Sequence, residues 1–196
     1  MFSDKQLQTI IEGNAVGNYF PYDTNNEQEI EAHIRRLFYR LKRIPDVRLE
    51  AEWNHFGSGY ASFVEIFCYR KEDITVIKEK NGERELEISG IIVDICRLAP
   101  VAIMGEDKRF KTIDIATNEE LAGGFGSLLD DPRRVKVGKK FQTVERQLHQ
   151  ALEEFEYKNL DEAILKQPLT FKTKIATIYR KPREYKVMDA LFYWED

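Results

Sequence analysis

The clearest hydrophobic pattern in the chain has the spacing of a helix. Apolar residues recur every three or four positions until Pro45 interrupts them: Ile30, Ile34, Leu37, Phe38, Leu41 and Ile44. Two pairs have the spacing of a capping box that would begin this helix, Thr24 with Glu27 and Asn26 with Glu29. The stretch therefore predicts a long amphipathic helix that ends before Pro45.

Three more segments have helical patterns. The apolar residues between Phe141 and Phe155 fall on one stripe and predict a second long amphipathic helix. The segment from Ser3 to Glu12 predicts a short helix that Ser3 can cap. Asp161 to Lys166 predicts one further helical turn.

Between the two long helices the pattern changes to alternation, which is typical of half-buried strands. Asn81-Gly82 separates two such runs, and both residues tolerate the positive φ of a tight hairpin turn. Because consecutive hairpins produce neighbouring antiparallel strands, this region predicts an antiparallel meander. The predicted strands are Val47 to Trp53, Tyr60 to Tyr69, Ile74 to Ile77 and Glu85 to Leu98.

The next part of the chain has weaker patterns. Val101 to Met104 and Phe110 to Ile115 predict another hairpin, with its turn at Gly105 to Lys108. Glu119 to Lys140 contains Gly-Gly and Asp-Asp-Pro runs that interrupt any regular period, so we expect a long loop there.

Two last strands are predicted at Leu169 to Tyr179 and Tyr185 to Trp194, joined at Lys181-Pro182-Arg183. No linker or repeat divides the chain, so we expect one domain over residues 1–196. The expected fold class is α+β: an antiparallel meander sheet with two long amphipathic helices packed on it.

Composition narrows the class of protein. Hydrophobic residues make up 42% of the chain and aromatic residues 12%, which argues against disorder. The net charge is −4, with acidic and basic residues interleaved, which argues against a dedicated nucleic-acid binder. Cys68 and Cys96 lie in apolar runs and are expected to be buried thiols. With no signal peptide or membrane span in the pattern, the expected location is the cytoplasm.

Three residues are the candidates for acid–base chemistry. Glu65 and Asp94 each interrupt a strand that is apolar on both sides, and a buried carboxylate must be paired, hydrogen-bonded or protonated. His55 lies in a turn beside Ser58, where a Ser–His pair could be exposed. The ordinary alternatives are a solvated sheet face and a plain hairpin turn.

Other motifs favour no cofactor and no metal. The three histidines lack the spacing of zinc ligands, and the glycine-rich segments lack the frame of a nucleotide site. Asp94 followed by Glu106 and Lys108 loosely resembles the acidic pattern of metal-dependent nucleases, in too short a form to be specific. Basic residues cluster in two places, where a solvated surface is the ordinary explanation: Arg36, Arg40 and Arg43, and Arg133, Arg134, Lys136, Lys139 and Lys140.

Two aromatic segments are the candidates for binding another protein, because large rings concentrate binding energy at interfaces. The alternative is that both segments fold back into the core. The candidate residues are Phe192, Tyr193 and Trp194 at the end of the chain, and Tyr19, Phe20 and Tyr22 in an early loop.

Two function hypotheses follow. The first is a non-enzymatic protein-interaction module, of the kind found among immunity proteins and adaptors. The second is a small-ligand-binding protein or hydrolase-type enzyme with its site around Glu65, Asp94 and His55. Both hypotheses remain open on the sequence alone.

Overall fold

One mostly antiparallel sheet forms the middle of the protein. The structure is a computed structural model, and it describes residues 2–57, 59–126, 129–175 and 184–195. The principal strand order is β1-β3-β5-β6-β7, while β4 continues along β5 beyond the end of β3, and β8 pairs with β6 in parallel. The meander is therefore confirmed. The strands are β1 (Val47–Glu52), β2 (Tyr60–Ala61), β3 (Phe63–Arg70), β4 (Ile74–Lys80), β5 (Glu83–Cys96), β6 (Val101–Asp114), β7 (Glu120–Phe125), β8 (Lys158–Asn159) and β9 (Trp194–Glu195).

The longest strands differ from the sequence prediction. Val101 to Asp114 form one continuous strand, and the predicted turn at Gly105 to Lys108 lies inside its ladder with β5. Thirteen successive residue pairs join β5 and β6, so a local glycine and its charged neighbours do not turn the chain. The predicted loop from Glu119 is also wrong at its start, because β7 pairs with the far half of β6.

Helices cover both faces of this sheet. The two long helices, α2 (Glu27–Leu41) and α3 (Gln142–Glu154), pack on one face, as the periodic residues predict. The carboxamide oxygen of Asn26 accepts the first hydrogen bonds of α2. The opposite face is covered by three short helices: α1 (Asp4–Ile11), α4 (Glu162–Leu165) and α5 (Val187–Leu191). No helix in the described part of the chain is both long and apolar enough to cross a bilayer.

The end of the chain corrects another prediction. The strand expected from Tyr185 to Trp194 is instead α5 followed by the short strand β9, which pairs with β2. The Asp189 carboxylate accepts a hydrogen bond from the Lys186 backbone N–H at 2.7 Å, which caps the first turn of α5. The described part of the other predicted strand, up to residue 175, forms no strand, and residues 176–183 lie outside the described ranges.

Candidate functional site

Three acidic side chains lie next to one another across neighbouring strands. Glu52 on β1 pairs in register with Glu65 on β3, and Glu65 pairs with Asp94 on β5. Directly opposed residues project from the same face of a sheet, and neighbouring strands are about 4.8 Å apart. We call these three residues the acidic row. Like charges in opposed positions are destabilising, so a requirement for stability alone does not explain this arrangement.

Two members of the acidic row are removed from solvent. Glu65 is 3% exposed and Asp94 is 2% exposed. Burial raises the pKa of Asp94 well above its ordinary value, and the neighbouring Glu65 raises it further. Burial also raises the pKa of Glu65, although Arg109 opposes that shift. Asp94 Oδ1 has no hydrogen-bond partner in the part of the chain that the structure describes.

The acidic row is compensated by Arg109, a residue of β6. Its guanidinium forms a buried ion pair with Glu65. The same group lies 5.1 Å from the centre of the Phe67 ring and 5.8 Å from that of Phe56. Gly90 makes room for this arrangement, because a Cβ at that position would lie 2.8 Å from the Phe67 ring. Because Gly90 has no side chain, the Phe67 ring can lie beneath Arg109, and we call this ring the aromatic floor.

An open cleft of about 340 Å³ lies over this floor. We call it the outer cleft. Its rim carries a second ionic group, in which Lys111 bridges Glu50 at 2.9 Å and Glu120 at 2.8 Å. The described residues that line the outer cleft include four carboxylates and two cations: Glu50, Glu52, Glu65, Glu120, Arg109 and Lys111.

A second, smaller space adjoins the same row. This inner cavity has a volume of about 30 Å³ and is lined by Asp94, Glu65 and His55, with residues of the C-terminal segment on its other side. His55 is 4% exposed, and burial lowers the pKa of its imidazole. Its Nδ1 has no hydrogen-bond partner within the described ranges. The cavity has room for about two water molecules, and Glu65 borders both it and the outer cleft.

The structure thus brings together Glu65, Asp94 and His55, which the sequence singles out separately. Ser58, the proposed partner of His55, lies outside the described residues. Glu106 and Lys108 project from the opposite face of the sheet to Asp94, because their positions on β6 have the other parity. The resemblance to a nuclease pattern is therefore not realised in space.

The aromatic residues proposed to bind a partner have mixed surroundings. Tyr22 is 1% exposed, and its hydroxyl donates to the carbonyl oxygen of Cys96 at 2.8 Å. Tyr193 is 5% exposed, and Phe192 and Trp194 line the inner cavity. Tyr19 is half-buried, whereas Phe20 is 50% exposed. Three of the six rings, those of Tyr22, Tyr193 and Phe192, therefore belong to the core or pack against it, and the role of the six in partner binding stays a prediction.

Half of the eight residues in the two basic clusters form ion pairs with acidic neighbours in the described part of the chain: Arg40, Arg133, Arg134 and Lys140. Arg40 contacts Glu154 at 2.5 Å, and Lys140 contacts the buried carboxylate of Asp73 at 3.0 Å. Arg134 lies 3.5 Å from the Asp107 carboxylate. These ion pairs argue against one continuous cationic stripe for nucleic acid.

Sequence reasoning missed two members of the site, Glu52 and Arg109. Glu52 belongs to the polar side of an alternating strand, which the pattern assigns to solvent. Arg109 lies beside a predicted hairpin turn, where a charged residue is unremarkable. The one available signal is the period of two, which places Arg109 on the same face of the sheet as Glu65 only if the strand register is known.

Among the described residues, no three histidine, cysteine, aspartate or glutamate side chains converge as metal ligands would. The arrangement within those ranges is an acidic and aromatic cleft. The chain matches no protein-family model, no curated protein and no solved structure, so the geometry of the site carries the functional argument.

Proposed function

We propose that this protein binds a small ligand in the outer cleft, above the acidic row. The observation that supports this most is the row itself, in which Glu52, Glu65 and Asp94 lie side by side and two of them, Glu52 and Glu65, line the outer cleft. Like charges in opposed positions cost stability. Polar groups held at such a cost beneath an open cavity are typical of binding sites. The volume of about 340 Å³ is within the range of small-molecule sites.

Binding is better supported than hydrolysis. A hydrolase needs its acid–base groups within hydrogen-bond reach of the scissile bond. Asp94 and His55 line the inner cavity, whose volume of about 30 Å³ has no room for an organic substrate. Of the three proposed catalytic residues, Glu65 is the one that also lines the outer cleft, and its carboxylate is engaged by Arg109.

The experiment is a titration of isotopically labelled protein followed by amide NMR. The probes are benzyl alcohol, benzylamine and benzoate, which share one ring and differ in charge. We expect at least one probe to give saturable shifts, concentrated on the amides of β1, β3, β6 and β7 around the outer cleft. If no probe saturates, or if the shifts are scattered over the molecule, the proposed function is wrong.

A second candidate function is the protein-interaction module. The observation that favours it is a set of apolar side chains at least half exposed on β4 and β7: Val76 at 50%, Ile77 at 54% and Leu121 at 53%. Capture from a lysate should then give one stoichiometric partner that a Val76→Ser, Ile77→Ser variant fails to retain. Equal capture by both proteins would contradict this candidate.

The expected cytoplasmic location belongs with these proposals. Cys68 and Cys96 are both free and buried, which fits a reducing compartment.

A further inference from the structure

We propose that the ligand carries a cationic nitrogen group with N–H donors, beside a flat apolar portion. This inference rests on the proposed function, since it names the chemical class of molecule that the outer cleft would take.

The first argument is the charge around the cleft. Four carboxylates face two cations among its described lining residues, and both cations are already engaged. Arg109 pairs with Glu65, while Lys111 bridges two other glutamates. Glu52 forms no ion pair within residues 2–57, 59–126, 129–175 and 184–195, so its carboxylate is available to an incoming cation.

The second argument is the floor of the cleft. The protein already places a cation over this floor, since the Arg109 guanidinium lies 5.1 Å from the centre of the Phe67 ring. The negative face of an aromatic ring attracts cations. A second ring at the same guanidinium, that of Phe56, also lines the outer cleft and is 45% exposed, so it can accept the apolar ring of a ligand. A molecule with both a cationic group and a flat apolar portion would match both properties.

The third argument comes from the inner cavity next to Glu65. Asp94 is only 2% exposed, and its Oδ1 has no partner among the described residues. The His55 imidazole contributes a second unpartnered atom, Nδ1, at the same cavity. A buried carboxyl oxygen without a donor is costly, and an ammonium group offers three donors. Because the inner cavity has room for water alone and Glu65 borders both spaces, a ligand in the outer cleft would reach Asp94 through a water molecule, which favours a ligand group that donates hydrogen bonds.

An anionic ligand is disfavoured by the same contacts. It would have to separate Arg109 or Lys111 from its carboxylate partners, leaving those carboxylates uncompensated. A neutral ligand would leave the excess of negative charge in the outer cleft, including that of the Glu52 carboxylate, uncompensated.

The test compares dissociation constants at neutral pH for four single-ring probes. Benzylamine and benzamidine carry the cation, benzyl alcohol is neutral, and benzoate is anionic. One unscreened contact between unit charges near a protein surface changes affinity by roughly fivefold or more. We therefore expect both cationic probes to bind at least about fivefold more tightly than benzyl alcohol, and benzoate to bind most weakly.

The variant Glu52→Gln removes one carboxylate without leaving a cation unpaired. It should weaken benzylamine about fivefold and leave benzyl alcohol unchanged. Glu83→Gln is the matched control, because Glu83 lies on the opposite face of β5 from Asp94 and, like Glu52, forms no ion pair within the described residues. Equal binding of neutral and cationic probes in the cleft would overturn the ligand class but leave the binding function intact. Failure of every probe would overturn both.

Discussion

Replacing Asp94 with asparagine should make the protein more stable at neutral pH. In the folded protein the Asp94 carboxyl is buried beside Glu65, and both burial and that neighbour raise its pKa well above the ordinary value. In the unfolded chain the carboxyl has an ordinary pKa of about 4. The folded state therefore holds the proton more tightly, and its stability falls as the pH rises from the unfolded pKa through the folded one.

The slope of this effect follows from the single proton involved. When the folded state holds one proton more than the unfolded state, the free energy of unfolding falls by about 1.4 kcal/mol per pH unit. An asparagine side chain has nearly the same shape as that of aspartate and cannot titrate. The difference between the variant Asp94→Asn and the wild type should be small near pH 4 and grow at up to about 1.4 kcal/mol per unit above it.

The assay is urea unfolding from about pH 4 to about pH 8, followed by the fluorescence of the two tryptophans, Trp53 and Trp194. Asp114→Asn is the control, and it should change the free energy of unfolding at neutral pH in the opposite direction. Backbone N–H groups of Thr117 and Ala116 donate to the Asp114 carboxylate and lower its pKa, so that the wild-type residue stabilises the fold above its unfolded pKa. Stability curves of Asp94→Asn and wild type that run parallel over this range would refute the reasoning.

Three further variants test the packing around the site by urea unfolding at neutral pH. A Cβ at Gly105 would lie 2.5 Å from a backbone oxygen, so Gly105→Ala should cost about 1–3 kcal/mol, whereas Gly124→Ala, with nothing within 4 Å, should cost nothing measurable. Arg109→Met leaves the Glu65 carboxylate buried without its partner and should cost about 3–5 kcal/mol; a loss below about 1 kcal/mol would show that the pair is well solvated. The Ser62 hydroxyl donates to the Leu191 carbonyl oxygen at 2.9 Å and accepts from a backbone N–H of the C-terminal segment at 2.8 Å, so Ser62→Ala should cost about 1–3 kcal/mol and speed amide exchange in that segment. Unchanged exchange would mean that Ser62 does not hold the segment in place.

The elements that the sequence predicts well are those with local causes. The apolar stripe from Ile30 to Ile44 is sufficient for α2, and Asn81-Gly82 adopts the positive φ angles that its residue types allow. The course of β6 through Gly105 depends instead on its long pairing with β5, which no local pattern contains. The short helix α5 has the sequence pattern of a strand. The aromatic residues beside it favour a strand, and in the sequence this signal is stronger than that of Asp189, the residue that caps the helix.

The candidate site was predictable only in the part that depends on local sequence. A carboxylate inside an apolar strand is visible in the sequence, which identifies Glu65 and Asp94. Their alignment with Glu52, and the place of Arg109 on the same face, depend on strand register, and a shift of one residue would move each side chain to the other face. The sequence therefore identifies the three members of the acidic row only when the register of β1, β3 and β5 is known.

A crystal structure of the wild-type protein with benzamidine tests the central claim most directly. The account predicts that the amidinium lies within hydrogen-bond distance of the Glu52 or Glu65 carboxylate, with the ring of the probe against the exposed ring of Phe56. A different apolar pocket of about 340 Å³, lined by Phe2, Val16 and Leu160, offers the competing location. Benzamidine bound in that pocket, with the outer cleft holding solvent, would contradict the account.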